Sequence, residues 1–336
     1  MKKAATILYL FVLVMCISAC NNDRSVPSST ASEAETISSL PSESISKEAY
    51  TVHEDTSRLV LIESAIDEAI GIMNTVRQDN LPKTTSAFHK AFEYDTLSSE
   101  EKALYDEMLP KIQDFEPFSY LADEVGYEVL DRIFGIFGPL SRDYPELGIY
   151  FTIIEVFDDN VTTALEARYF LPWDPEQQPA SLEALQKETE LFAQASDRIV
   201  KRMPEGLSAY DQYRYLATVV SLITDYDHSF QNGWQLGSAY GAIVGGSSIC
   251  QGYSYGFMYL CQKANLWCAT VEGIANDNFS HMWNMIQLDS GYYHVDVTWS
   301  DELGDPTSEE WLQYFVLTDD EISVDHVIEK VNVHFG

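Results

Sequence analysis

Apolar residues recur at intervals of three and four over about residues 55–140. This spacing places them on one face of a helix, so it predicts amphipathic helices in this part of the chain. Ser98, with Glu101 three residues later, predicts a capped helix start, and Gly138-Pro139 predicts an interruption. The clearest apolar stripe consists of Leu59, Ile62, Ile66, Ile70 and Met73.

After about residue 140 the chain carries both helical and strand-like patterns. Two segments rich in branched and aromatic residues, 148–156 and 164–171, predict strands. Because the later strands follow the helices as one group, the expected fold class is α+β rather than an alternation of strand and helix. The further predicted helices begin at Ser181, at Ser208 and, after a glycine-rich loop, at Cys250. The further predicted strands are 266–272, 281–288 and 292–299.

The first twenty residues resemble a bacterial export signal. Two lysines precede an apolar run of about 12 residues, too short to span a membrane. Residues 17–20, Ile-Ser-Ala-Cys, resemble the lipobox of bacterial lipoproteins, in which the cysteine is acylated. The resemblance implies a signal peptide over 1–19, lipid attachment at Cys20 and an extracytoplasmic, lipid-anchored location at the cell membrane. The alternative is an ordinary signal peptide cleaved after Ala19.

Charge and composition exclude several classes of protein. The 336 residues carry a formal net charge of −33, and such an acidic surface repels phosphate backbones and anionic lipid. We therefore expect no nucleic-acid binding, and membrane attachment through the N-terminal lipid only. Apolar residues make up 46% of the chain, enough for a large core. Residues 20–50, rich in serine and glutamate, predict a disordered tether ahead of a helical N-terminal region over 51–140.

Cys250 stands where a glycine-rich loop runs into a predicted helix, with Ser248 as the expected cap. A thiol in the first helical turn faces unpaired backbone N–H groups and the positive end of the helix dipole, which favour the nucleophilic thiolate. The same N–H groups can stabilise an oxyanion on a substrate carbonyl. A cysteine taken alone is more often a small buried apolar residue, so the prediction needs partners for Cys250.

A predicted hairpin supplies those partners. Leu288-Asp289-Ser290-Gly291 is a tight turn, and pairing Leu288 with Gly291 places Asp296 opposite Trp283. His281 then lies two residues further along the same face, within reach of the Asp296 carboxylate. A slip of one residue would put the two side chains on opposite faces. In the predicted register, Asp296 fixes the imidazole tautomer and His281 accepts the thiol proton.

Three short blocks follow one another: Cys-Gln-Gly-Tyr-Ser from Cys250, His-Met-Trp-Asn from His281 and Asp-Val-Thr-Trp from Asp296. Together they resemble the blocks of transglutaminase-like domains in the papain-like superfamily. The resemblance implies a nucleophile at Cys250, a base at His281 and an orienting acid at Asp296. It also implies a domain over 141–336, with its core at 205–326, in which the helix bearing the cysteine packs on an antiparallel sheet.

The activity implied by this resemblance is a cysteine-dependent amide hydrolase or acyltransferase, a peptidase, amidase or transglutaminase that works through a thioester. With the extracytoplasmic location, it suggests peptides, proteins or peptidoglycan stems as substrates. No cofactor is implied, and no spacing of histidine, cysteine and acid fits a zinc or EF-hand site. The alternative is a binding or scaffold lipoprotein that has lost activity, although none of the three residues is missing.

Several nearby residues leave alternatives open. The oxyanion side chain is undecided between Trp234 and Gln251. His294 is a rival histidine, which we expect to be a cross-strand packing residue. Cys261 is expected in the core, and a bridge between it and Cys268 is left open. The sequence also resembles bacterial members of the family in their usual C-terminal segment, at residues 314–319 and at the later His326.

Overall fold

The computed structural model describes residues 55–76, 93–158, 161–174, 178–230, 233–276 and 279–332. The predicted signal peptide over 1–19, Cys20 and the predicted tether lie outside the described residues. Within the described ranges, no helix is both long enough and apolar enough to cross a membrane.

The first part of the chain is mostly helical, as predicted, and ends in a small sheet that contains the strands predicted over 148–156 and 164–171. The interruption predicted at Gly138-Pro139 is wrong, because one helix continues through both residues. Its elements are α1 (Asp55–Val76), α2 (Ser99–Gln113), β1 (Ser119–Leu121), α3 (Ala122–Val125), α4 (Tyr127–Asp143), β2 (Phe151–Asp158) and β3 (Val161–Tyr169). The strands pair antiparallel in the order β1-β3-β2. The predicted cap of α2 is confirmed, because the Ser98 hydroxyl accepts the N–H of Glu101 while the Glu101 carboxylate accepts the N–H of Ser98.

The second part begins with helices and ends in a sheet. Its helices are α5 (Leu182–Lys201), α6 (Ala209–Ile223), α7 (Cys250–Lys263), α8 (Val297–Leu303) and α9 (Asp319–Ile322). Its strands are β4 (Asp225–Tyr226), β5 (Ser247–Ser248), β6 (Cys268–Ala275), β7 (Phe279–Leu288), β8 (Gly291–Val295), β9 (Phe315–Leu317) and β10 (His326–Val331). Helix and sheet are therefore mixed, but the short helices α8 and α9 interrupt the run of strands that the sequence predicts.

Five of these strands form an antiparallel sheet in the order β10-β6-β7-β8-β9, and α7 packs across it. Polar contacts join the two layers: the Ser254 hydroxyl on α7 lies 2.9 Å from the Met282 carbonyl on β7, and the Asn284 amide donates to the Ser254 carbonyl at 3.0 Å. The predicted hairpin register is confirmed, because Leu288 pairs with Gly291 and Asn284 with Val295.

The strand predicted over 292–299 is wrong in its second half. Strand β8 ends at Val295, and a helix begins at Val297. The reason is the side chain of Asp296, which accepts the N–H of Trp299 at 3.1 Å and so acts as the N-cap of α8. Branched and aromatic residues favoured a strand here, but the capping carboxylate turns the chain.

The first helix belongs to the same core as the sheet. The predicted apolar stripe is confirmed, with Ile62, Ile66 and Met73 completely buried where α1 packs on α6. The buried cluster that holds this stripe continues to Tyr253 and Phe257 on α7. Residues on both sides of position 140 therefore contribute to one core.

Candidate active site

Cys250 is the first residue of α7, as predicted, and its side chain is 5% exposed. The predicted cap at Ser248 is wrong: Ile249 holds the cap position in an extended conformation, and the Ser248 hydroxyl donates to the Leu236 carbonyl at 2.6 Å. The cap residue therefore supplies no side-chain acceptor to the first turn of α7, and the N-terminus of a helix favours an anion at the cysteine.

The loop in front of Cys250 is held closely. Strands β4 and β5 pair in parallel, with Asp225 beside Ser247 and Tyr226 beside Ser248. Gly252, two residues after the cysteine, leaves no room for a side chain, because an added Cβ would lie 1.9 Å from the Ser248 hydroxyl oxygen. The short strand pair and this close approach together fix where the thiol stands.

His281 and Asp296 are in direct contact, as the predicted register requires. Nε2 of His281 lies 2.7 Å from Oδ2 of Asp296, and both side chains are buried. The other carboxylate oxygen accepts the N–H of Trp299, so the helix cap also aims the carboxylate at the imidazole. Because Nε2 of His281 is hydrogen-bonded to Asp296, Nδ1 is the ring nitrogen that can accept a proton from a thiol.

The charge of Asp296 is strongly favoured. Burial alone would raise the pKa of this carboxyl, but the charges of His281 and His326 and their hydrogen bonds outweigh burial and hold the pKa well below its usual range. Asp296 is therefore ionised at and below neutral pH, which suits a group that holds an imidazole in one tautomer.

Cys250 and His281 line the same cleft, whose volume is about 390 Å³. Its walls include Trp299 and the partly exposed Phe230 and Phe279, together with polar side chains. Trp299 thus borders the cleft, whereas Trp283 is completely buried. The other lining residues are Tyr226, His228, Ile249, Ala275, Asn276, Ser280, Thr298 and Glu302.

A second histidine touches the acid. Nε2 of His326, the first residue of β10, lies 3.3 Å from the same Oδ2 of Asp296 that faces His281. The sequence pointed to His326 only through the resemblance at the end of the chain. Thirty residues separate it from Asp296, so no local spacing could reveal the contact.

These three residues could also hold a metal ion. Within the described ranges, His281, Asp296 and His326 each offer one ligand atom, and the three atoms lie within 4.8 Å of one another. Two ligands on a tetrahedral zinc stand about 3.3 Å apart, whereas His281 Nε2 and Asp296 Oδ2 are at hydrogen-bond distance, 2.7 Å. As arranged, hydrogen bonds join the three side chains, and the distance between His281 and Asp296 is too short for two ligands of one zinc ion.

The remaining candidate residues that the structure describes have other surroundings. His294 is completely buried and accepts the indole N–H of Trp283 at 2.9 Å, a packing role as expected. Gln251 borders a separate small cavity on the other side of α7, and the side chain of Trp234 is outside the described residues. Cys261 and Cys268 are buried thiols. Burial raises the pKa of the Cys261 thiol, and its contact with Cys268 raises it further.

No family model matches this sequence, and no curated protein matches it. One crystal structure, of a TGase, aligns with a TM-score of 0.29 and 15% identity over 44% of this chain and 43% of that one, so the match spans less than half of its length. A cysteine protease candidate from Cytophaga hutchinsonii aligns with a TM-score of 0.27 and 12% identity, over 53% of this chain and 68% of that one. Similarities this slight decide neither fold nor activity.

Proposed function

We propose that this protein is a transglutaminase-like cysteine enzyme that hydrolyses amides or transfers their acyl groups. The observation that carries the proposal is the buried 2.7 Å contact between His281 and Asp296, beside a cleft that Cys250 also lines. The three residues come from three separate places in the fold: the start of α7, strand β7 and the N-cap of α8. They stand in the order of the three sequence blocks that suggested the family.

The chemistry follows from this arrangement. His281 accepts the thiol proton at Nδ1, and the Cys250 sulfur attacks the substrate carbonyl, whose oxygen becomes an anion near the first-turn N–H groups of α7. The carbonyl re-forms as the C–N bond breaks, and the imidazolium returns its proton to the leaving ammonia or amine. Water or a second amine then attacks the thioester, which gives hydrolysis or transamidation and restores the thiol.

The substrate class and the location are part of the proposal. An extracytoplasmic protein held by lipid at Cys20 meets peptides, surface proteins and peptidoglycan stems, all of which carry accessible amides. The aromatic side chains in the cleft, with Trp299 beside His281, suit an apolar side chain next to the reacting amide. A net charge of −33 disfavours acidic substrates.

The decisive experiment compares the wild type with Cys250→Ala and, as a matched control, Cys268→Ala, which removes a buried thiol distant from the cleft. We expect the wild type and the control to react with iodoacetamide and to release ammonia or amine from peptide amides, and Cys250→Ala to do neither. Asp296→Asn should keep the helix cap and lose most turnover, because asparagine caps helices well but carries no charge.

If the protein is instead an inactive binding or scaffold lipoprotein, the same assays should give the opposite result. In that case the wild type shows no turnover on any peptide amide, and iodoacetamide reacts with Cys250 no faster than with an ordinary thiol. That result would reject the enzyme proposal.

A further inference from the structure

His326 lies between two carboxylates. Its Nδ1 is 2.6 Å from Oδ1 of Asp325, and its Nε2 is 3.3 Å from Oδ2 of Asp296. Ionised carboxylates only accept hydrogen bonds, so each ring nitrogen must carry a hydrogen if it is to donate to its carboxylate. A neutral imidazole has one N–H and can satisfy only one of the two. The geometry therefore calls for the doubly protonated, cationic ring.

The surroundings suit such a charge only if it is paired. His326 is 1% exposed, and the rings of Trp299 and Trp283 lie 4.4 Å and 4.9 Å from its own, between centroids. A cation buried among aromatic rings is costly unless carboxylates hold it, and two of them do. The second oxygen of Asp325 accepts the Tyr314 hydroxyl at 2.5 Å, which fixes that carboxylate in turn.

We infer that His326 is a positioning residue: a buried imidazolium between Asp325 and Asp296 that holds the Asp296 carboxylate against His281. The inference rests on the proposed function and deepens it. With His326 cationic, Asp296 and Asp325 supply two negative charges to one positive charge. One negative charge therefore remains to balance His281 when it takes the proton of Cys250.

The other titratable groups around the ring do not change this balance. The ring of His281 is 5.4 Å away and that of Tyr314 is 5.8 Å away. His294, on β8, is separated from His326 by the indole of Trp283 and pairs with Asp319 at 3.0 Å. Burial lowers the pKa of His326, but hydrogen bonds and charges from Asp296 and Asp325 outweigh burial, so the pKa is raised overall. The cation therefore persists to higher pH than in a free histidine.

Loss of this cation should change the pH profile of the thiol as well as its rate. We expect His326→Phe, which keeps a ring but donates nothing, to slow alkylation of Cys250 by about 10- to 100-fold at neutral pH, as for other partners that orient a reacting group. His326→Gln can donate to one carboxylate without charge and should restore part of the rate. A purely structural role predicts slower alkylation only in proportion to lost folding, with an unchanged profile.

The test measures iodoacetamide alkylation of Cys250 from pH 4 to pH 10 in both variants, in the wild type and in His294→Phe. The last is the matched control, because His294 is equally buried and carboxylate-bound but does not touch Asp296. We expect the profile to change in the His326 variants and to keep its shape in the control. Superimposable profiles for His326→Phe and the wild type would overturn the inference.

A second measurement determines the protonation state of His326 directly in the wild type. Nitrogen-15 NMR of the wild type at pH 7, with His326 assigned through His326→Gln, should show both ring nitrogens of His326 protonated. A neutral ring overturns the inference even if Cys250 is reactive. An unreactive Cys250 with a cationic His326 instead overturns the proposed function, so the two failures are distinguishable.

Discussion

Asp301 offers a sharp test of how the site's helices are joined. The Tyr253 hydroxyl on α7 lies 2.9 Å from the Thr224 carbonyl and 2.7 Å from Oδ2 of Asp301 on α8. A phenol has one hydrogen and cannot donate it to both acceptors. If it donates to the carbonyl, Asp301 must carry a proton and donate to the phenol. The perturbation we choose is Asp301→Asn, whose amide donates in the same way but cannot ionise.

The size of the effect follows from the pKa. Burial raises the pKa of Asp301 from its ordinary 3.8 to about 7, and the charges of Asp225 and Glu302 add to that rise against the opposing hydrogen bond from Tyr253. The folded state thus binds this proton more tightly than the unfolded chain. The resulting stability is complete below pH 4 and is lost as the pH rises to about 7. A pKa higher by about three corresponds to a contribution of at most about 4 kcal/mol to the free energy of unfolding. Because Asp301 is partly exposed, solvent screening reduces this contribution to roughly 1–3 kcal/mol.

The assay is urea unfolding of the wild type and Asp301→Asn from pH 4 to pH 8.5. We expect near-equal free energies of unfolding at pH 4 and an advantage for the variant that grows to roughly 1–3 kcal/mol by pH 8. Asp305→Asn is the control: hydrogen bonds from Thr307 lower the pKa of Asp305, so its replacement should lose rather than gain stability at neutral pH. Parallel pH curves for the wild type and Asp301→Asn would refute the reasoning.

Three further changes test other parts of the structure. Gly252→Ala should abolish alkylation of the Cys250 thiol, since its Cβ would lie 1.9 Å from the Ser248 hydroxyl oxygen, whereas Gly135→Ala, with open space around it, should change nothing. Arg58→Met removes two hydrogen bonds to backbone carbonyls and should lower the free energy of unfolding by about 2–3 kcal/mol, measured in urea; an unchanged midpoint contradicts this. Phe230→Ala, at a cleft residue 37% exposed, should raise KM for peptide amides with apolar side chains and leave kcat unchanged; an equal loss of kcat would contradict a binding role.

The hairpin could be predicted because its determinants are local. A four-residue turn fixes which residues face each other, and the period of two along each strand then brings His281 to the acid. The helix starts predicted at Ser98 and Ser208 are equally local and are confirmed. Pattern reasoning succeeds where a few adjacent residues decide the outcome.

Other features depended on competition between signals or on distant contacts. At Asp296 a strand-forming sequence met a capping carboxylate, and the cap prevailed. At Ser248 the hydroxyl reached a carbonyl twelve residues away in preference to the helix it precedes. His326 meets Asp296 only because β10 lies at the edge of the sheet beside β6, an order that no single segment encodes.

The catalytic role of Cys250, His281 and Asp296 together is still a prediction, and so are the domain boundaries, the substrate and the membrane anchor. The described residues contribute the geometry: two of the three side chains in contact, the third in the same cleft, and a second histidine behind the acid. Each part of the proposal has its own measurement, so one can fail without the others.

The two oxygens of Asp296 perform separate tasks, one holding an imidazole and the other starting a helix. Selection for folding alone would therefore preserve this aspartate in a descendant that had abandoned catalysis. Retention of Asp296 in a relative therefore says nothing about whether that relative is still an enzyme. A survey of relatives for lost activity should examine the position of Cys250, because this residue caps no helix and folding alone would not preserve it.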